Sequence, residues 1–413
     1  MDTMKTPVPP AAKGIFAAMG FPNYRLWFLG QMTSLLGTWM QSTAQGYLIY
    51  ELTHSEVYLG YVGFASGIAT WAFTMYGGVI ADRVPRRSLI VVTQSLSMLL
   101  AFVLSALTFL RVVAPWHIVV LAFLLGVVNS FDAPARQSFV LEMVDRHVLT
   151  NAIALNSTMF NIATAVGPAV GGLTYALFGP GWCFAINGLS FVAVIAALVS
   201  MRLAPWTPPA RQGSALKEVR EGLRAVVGDR RILAVICLMA SVSMFGMSFV
   251  ALVPAWAVEV LHGDARVNGL LQSARGIGAL GAALWIAAIA HRRRKGRTIT
   301  VASVLFPVAL LLLSLTRSLP FSLLALVAVG AANITVNNLS NAFIQTLTPD
   351  AVRGRVMGVY MLSFFGFMPI GALLAGIVAA RVGVPTTVMI GATGTLICAI
   401  AVAVAVPSVR RQD

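Results

Sequence analysis

Few side chains in this sequence could move a proton or hold a charge away from water. Only 10% of the 413 residues are charged and 58% are hydrophobic. An ionisable group inside an apolar run is costly there, so its presence points to function. Asp132 is the carboxylate furthest inside such a run, and Arg136 follows one helical turn later. That pair could trade a proton against a bound molecule, or stand as a permanent ion pair. Glu51 and Glu259 lie at the ends of two other apolar runs and are secondary candidates for carrying a proton. Arg275 is the one deep basic group, placed to pair with Glu259 at an outer gate or to snorkel outward.

Polar side chains without charge form two stripes. Gln31, Ser34, Thr38, Gln41 and Gln45 are spaced 3, 4, 3 and 4, which puts them on one helical face. Asn333, Asn337, Asn341 and Gln345 follow four apart, with Asn338 adjacent. Amides in lipid need partners or water, so both stripes are expected to line a wet cavity; interhelical hydrogen bonding is the plainer alternative. Ser241, Met244, Phe245, Met247 and Ser248 would add adaptable thioether and aromatic contacts. Such a cavity suits a bulky, amphipathic, neutral or weakly charged molecule better than a dianion. Cys183, Cys237 and Cys398 lie far apart, and His54, His117, His147, His262 and His291 lie in or beside loops. No metal-ligand spacing, phosphate loop or clustered catalytic chemistry results, so neither an enzyme nor a cofactor or metal is expected.

The elements that must position these groups are membrane helices. Apolar stretches of about 20 residues recur from Leu26 to Val406, each able to span the hydrocarbon core. Helices are expected near 25–50, 57–81, 88–110, 116–139, 148–178 and 182–202. A second set falls near 230–258, 266–290, 298–316, 320–346, 352–380 and 385–407. The formal charge of +15 is sided. One set of loops holds Arg111, Arg266, Arg317 and Arg381, with Arg275 in a nearby helix; the other 24 of the 29 Lys and Arg lie on the opposite side. Basic loops stay cytoplasmic, which predicts a multi-pass bacterial inner-membrane protein with an even helix count and both termini inside, and no nucleic-acid role.

The expected organisation is a cytoplasmic segment 1–24, a six-helix bundle 25–202, a linker 203–229, a second bundle 230–407 and a tail 408–413. In the linker, Leu216, Val219, Leu223 and Val226 recur at helical spacing behind Ser214, a candidate cap, predicting an amphipathic surface helix. The halves echo each other at an offset of 204: Gly126 with Gly330, Asn129 with Asn333, Gly167 with Gly371 and Gly172 with Gly376. Parallel six-helix repeats are a transporter architecture.

The stretch Gly78-Val-Ile-Ala-Asp82-Arg83-Val-Pro-Arg86-Arg87 resembles the loop between helices 2 and 3 of major facilitator transporters, which latches the cytoplasmic gate, with Pro85 where glycine is usual. Gly167-Pro168-Ala-Val-Gly171-Gly172 resembles the fifth-helix motif of drug/proton antiporters, with Ala163 at its upstream glycine. Asn23-Tyr-Arg-Leu-Trp-Phe-Leu-Gly, Gly37-Thr-Trp-Met-Gln41, Asp132-Ala-Pro-Ala-Arg136-Gln137 and Asp350-Ala-Val-Arg353-Gly354-Arg355 extend the likeness to the enterobactin-exporter-like branch of that superfamily. The resemblance implies an all-α fold of twelve helices in two pseudo-symmetric six-helix bundles. It further implies proton-driven export by a chain expected to be monomeric, with helices 1, 4, 7 and 10 lining the cavity. The fourth helix lacks the deep arginine of many relatives, since Phe123 to Gly126 is apolar. Lipid translocation, uptake and membrane sensing are the rival functions.

Overall fold

The computed structural model describes residues 16–203, 215–288 and 295–407; the expected cap at Ser214, the tail 408–413 and most of segment 1–24 lie outside them. Helices are the only regular structure among the described residues. A helix satisfies its own backbone donors and acceptors, which lipid cannot do for it.

Six helices run in succession: α1 (Pro22–Thr53), α2 (Glu56–Ala81), α3 (Arg86–Phe109), α4 (Pro115–Phe139), α5 (Leu149–Phe178) and α6 (Pro180–Ser200). The short α7 (Ala215–Gly228) lies in the linker. Then come α8 (Arg230–Ser241) and α9 (Phe249–Ala255), two pieces of one span, Arg230–Val260. The chain continues with α10 (Ala265–Ala288), α11 (Lys295–Leu315), α12 (Leu319–Leu347), α13 (Asp350–Val382) and α14 (Val384–Ala405). Among the described residues, ten stretches are long and apolar enough to cross a membrane. The two other long helices, α1 and α10, have 32 and 24 residues. At about 1.5 Å per residue they are also long enough. Their polar side chains, the glutamine stripe in α1 and Asn268, Gln272, Ser273 and Arg275 in α10, lower their hydropathy.

Local chemistry sets the boundaries. Proline stands in the first turn of α1, α4, α6, α12 and α14, where its missing N–H costs nothing. Gly179 and Gly383 close α5 and α13 with φ of 89° and 82°, a conformation that favours glycine. They too are 204 residues apart. The repeat extends to packing: a Cβ on Gly126 would strike Ser66 O of α2, and one on Gly330 would strike Arg275 O of α10. Asp229 caps α8 by accepting from Arg231 N at 2.8 Å, and the Arg231 side chain holds its carboxyl below the usual range.

Two faces can be told apart by their loops. The linker face carries α7 and the α2–α3 and α4–α5 turns; the far face carries the α1–α2, α3–α4 and α5–α6 turns. Near the far face one apolar core joins both halves, with Met40, Leu48, Tyr50 and Tyr175 packed with Leu252, Trp256, Leu271 and Ala375. Toward the linker face the core divides. One cluster there draws only on residues between Ala18 and Met201, the other only on residues between Val226 and Tyr360. The α7 helix belongs with the second half: Glu221 pairs with Arg355 at 2.6 Å, and Val226 is buried.

Candidate substrate cleft and its gates

The divided core defines a cleft between the halves, closed at the far face and open at the linker face. Two helix pairs form the closure. In α2 and α13, a Cβ on Gly60 would stand 3.0 Å from Ala372 O, and one on Gly63 2.9 Å from Ala372 Cβ. In α5 and α10, a Cβ on Gly276 would stand 2.6 Å from Ala165 Cα, and one on Gly172 3.0 Å from Gly269 Cα. Glycine at these positions lets the backbones touch. Nearer the linker face α2 and α13 are apart: Gly78, Gly354 and Gly358 have nothing within 4 Å of an added Cβ, and residues 71–76 of α2 are all exposed.

The fifth-helix motif sits at that closure. Gly167 and Gly171 face α1, where their Cβ atoms would meet Trp39 Cβ at 2.6 Å and Met40 O at 2.8 Å. Gly172 faces α10, and Pro168 O supports Gly269 on the same helix. The α2–α3 loop, expected to latch a gate, is held by its own half. Asp82 is exposed at the end of α2 and has no ion pair among the described residues, and Arg83 is exposed beside it. Arg86 pairs with Glu142 at 2.7 Å, and Arg87 donates to Val199 O and Met201 O at 2.6 and 3.3 Å. Both arginines therefore tie the loop to its own half.

Asp132 is sealed among α1, α3 and α4, with 2% of its side chain exposed. Its Oδ2 meets Arg136 Nε at 2.6 Å, while Oδ1 accepts from Thr93 Oγ1 at 2.6 Å and Gln94 Nε2 at 3.0 Å. Arg136 Nη1 donates to Gln31 Oε1 at 3.1 Å. The Asp132–Arg136 ion pair is thus formed, and its partners all belong to one half.

The α1 stripe does not face the cleft. Gln31, Ser34, Gln41 and Gln45 are buried, and only Thr38 is partly exposed. Gln41 Oε1 accepts from Asn187 Nδ2 of α6 at 2.7 Å. The oxygens of Gln31 and Gln41 thus accept from protein donors, while Gln31 Nε2 is buried with no partner among the described residues. Phe245 likewise turns away, its ring 3.6 Å from where a Cβ on Gly394 of α14 would stand. Ser248 is buried and bonds Phe245 O at 2.8 Å; Met244 is half-buried against Gly371 of α13. A π turn over Val242–Gly246 sets these directions by displacing the helical register. Asn129, Asn333, Asn337 and Asn341 are half-buried, and Asn338 and Gln345 are exposed. Tyr360 Oη donates to Asn337 O at 3.1 Å, while Asn333 Oδ1 has no partner.

At the far face the expected pairing of Glu259 with Arg275 is absent. Glu259 accepts from Tyr50 Oη, across the two halves, and the Glu56 carboxylate is close enough to act on it electrostatically. Glu51 accepts from Tyr175 Oη within the first half. Arg275 points elsewhere, and its buried Nε has no partner. Asn268 Nδ2 adds a long contact, 3.4 Å, to Thr43 O across the halves. The sequence reading missed Tyr50, Tyr175, Asn187, Thr93, Gln94 and Asn268. Thr93 and Gln94, adjacent polar residues inside an apolar run, were the one legible signal.

Two helical bundles about such a cleft define a membrane transporter of the major facilitator fold. The family model described as transmembrane secretion effector matches residues 13–413. The chain belongs to that family. It is 23% identical over 375 residues to the staphyloferrin A transporter of Staphylococcus aureus, covering 90% of this chain and 93% of that protein. It is 26% identical over 392 residues to the multidrug efflux pump Tap of Mycolicibacterium fortuitum, with coverage of 92% and 95%. The enterobactin exporter EntS of Citrobacter koseri is 25% identical over 361 residues, with coverage of 86% and 85%. Among solved structures, a POT family transporter bound to 5-aminolevulinic acid superposes with a TM-score of 0.75 at 12% identity, covering 94% of this chain and 97% of that one. The nucleoside transporter NupG gives 0.71 at 16%, with coverage of 93% and 98%. At such identities the structural likeness concerns the fold.

Proposed function

We propose that this protein exports amphipathic small molecules, drug-like or siderophore-like, from the cytoplasm by alternating access of its two halves, driven by protons. The observation that carries the reading is the single core at the far face and the divided core at the linker face. Such a molecule has one closed and one open end, as a carrier needs. The concentration of Lys and Arg on the linker side supports a cytoplasmic position for that side. In this reading the structure is the state that loads cargo from inside. The names of the efflux pump and the enterobactin exporter support export of drugs or siderophores, and that of the staphyloferrin A transporter a siderophore as cargo.

Coupling demands a proton site that differs between the two states, because a ligand shifts an equilibrium only by its differential affinity. Asp132 keeps its partners within one half and is a poor carrier on that ground. Glu259 bonds Tyr50 across the halves, so opening the far face must break its contact. A proton between Glu259 and Glu56 would hold that face shut, and its loss would leave two carboxylates repelling. Glu259 is therefore assigned the coupling role ahead of Asp132 and Glu51.

The test is accumulation of a panel of fluorescent drugs and a labelled siderophore in cells expressing the chain. Expression should lower accumulation of at least one compound, a protonophore should restore it, and Glu259→Gln at equal expression should abolish the protonophore-sensitive part. Unchanged accumulation across the panel would refute the export reading. Full activity in Glu259→Gln would refute the coupling role.

A further inference from the structure

Arg275 lies roughly 15 Å from the start of α10 and 20 Å from its end, too deep to snorkel to either surface. Its direction is fixed by its neighbours. Leu270, Ile277 and Leu284 are exposed and mark the lipid side of α10. Gly269 and Gly276 meet α5, and Gly278 meets α12. Arg275 stands two residues from Ile277, about 200° around the helix, and so points away from lipid. Asn268, at about the same angle, reaches α1 of the other half. Arg275 thus faces the space between the halves.

No counter-charge is built for it. Among the described residues, no carboxylate pairs with its guanidinium within 4.0 Å. The deficit is also written in the sequence of its neighbours. Neither α5 nor α12 contains a single Asp, Glu, Lys, Arg or His, and α1 has none between Arg25 and Glu51. Guanidinium keeps its charge in proteins, and an unpaired charge at this depth is expensive. Gln272 lies on its preceding turn, and Gly330 of α12 meets the Arg275 backbone oxygen one turn before Asn333, whose buried Oδ1 has no partner among the described residues. At the repeat-related contact the first half has Ser66.

We infer that Arg275 receives an anionic group of the transported molecule, a carboxylate for which guanidinium has the matching fork geometry. This deepens the export reading and rests on it: the cargo is an amphipathic acid, in place of the neutral or weakly charged molecule that the amide stripes suggested. The nearby amides serve its hydroxyl or amide groups.

The test uses the full chain in detergent, with Cys183, Cys237 and Cys398 replaced and Gln272→Cys added one turn from Arg275. Labelling rates are measured with the anionic sulfonatoethyl and the cationic trimethylammonium-ethyl methanethiosulfonates. The anionic reagent should react faster. Its advantage should fall about tenfold in Arg275→Gln and survive in Arg275→Lys. Dansyl-leucine should slow labelling, and dansyl-leucinamide, which lacks the carboxylate, should not. An unchanged reagent ratio in Arg275→Gln, no protection by the acid, or equal protection by the amide would overturn the inference. Because labelling needs no transport, its failure leaves export standing, and a failure of export leaves the labelling result intact.

Discussion

At the scale of single residues, the question is which ionised groups hold the fold and which do the work. Asp132 illustrates the first kind. Its three donors come from α3 and α4, and its arginine is shared with Gln31 of α1. Asp132→Asn should destabilise the purified protein by about 2 kcal/mol, since it strips a charged partner from Arg136. Arg136→Gln added to it should recover most of that loss, because it removes the charge left unpaired. Thermal melting of the two variants in detergent checks this. A double variant no more stable than the single would contradict the pairing. The sequence left Asp132 and Arg136 open as a proton-trading pair or a permanent ion pair, and their contact is present. It could not show that α3 supplies two further donors, because a tertiary contact leaves no periodic trace.

At the scale of elements, glycines at the crossings decide where helices can touch. Gly172 and Gly376 sit at matching points of the two halves, each with a glycine Cα of the facing helix 3.0 Å from a built Cβ. Backbone cannot yield as a side-chain tip can. Gly172→Leu should therefore prop the far face open and lower export about tenfold, whereas Gly281→Ala, with nothing within 4 Å, should be silent. Export assays at matched expression decide it; equal activity in all three proteins would remove the close crossing from the account. Helix limits and the repeat were legible, since apolar length and the 204-residue offset are properties of the chain itself. The facing of the α1 stripe was not. A polar face looks the same in sequence whether it meets water or the Asn187 amide of a neighbour. Nor could periodicity reveal the π turn that carries Phe245 toward α14.

At the scale of the whole molecule, the two halves are joined at one end and parted at the other, and the central claim is that these ends alternate. The α2–α13 register makes that claim measurable. These helices run antiparallel, with Gly60 and Gly63 at Ala372 and Trp71 at Gly366. Continued toward the linker face, the register brings Gly78 opposite Gly358, where both now have open space. In a background lacking the three native cysteines, Gly63→Cys with Ala372→Cys can lock the far face, and Gly78→Cys with Gly358→Cys the linker face. The account predicts that each pair forms a disulfide during turnover, that each disulfide stops export of the compound the cells clear, and that reduction restores export both times. Export that continues with either end locked would contradict it.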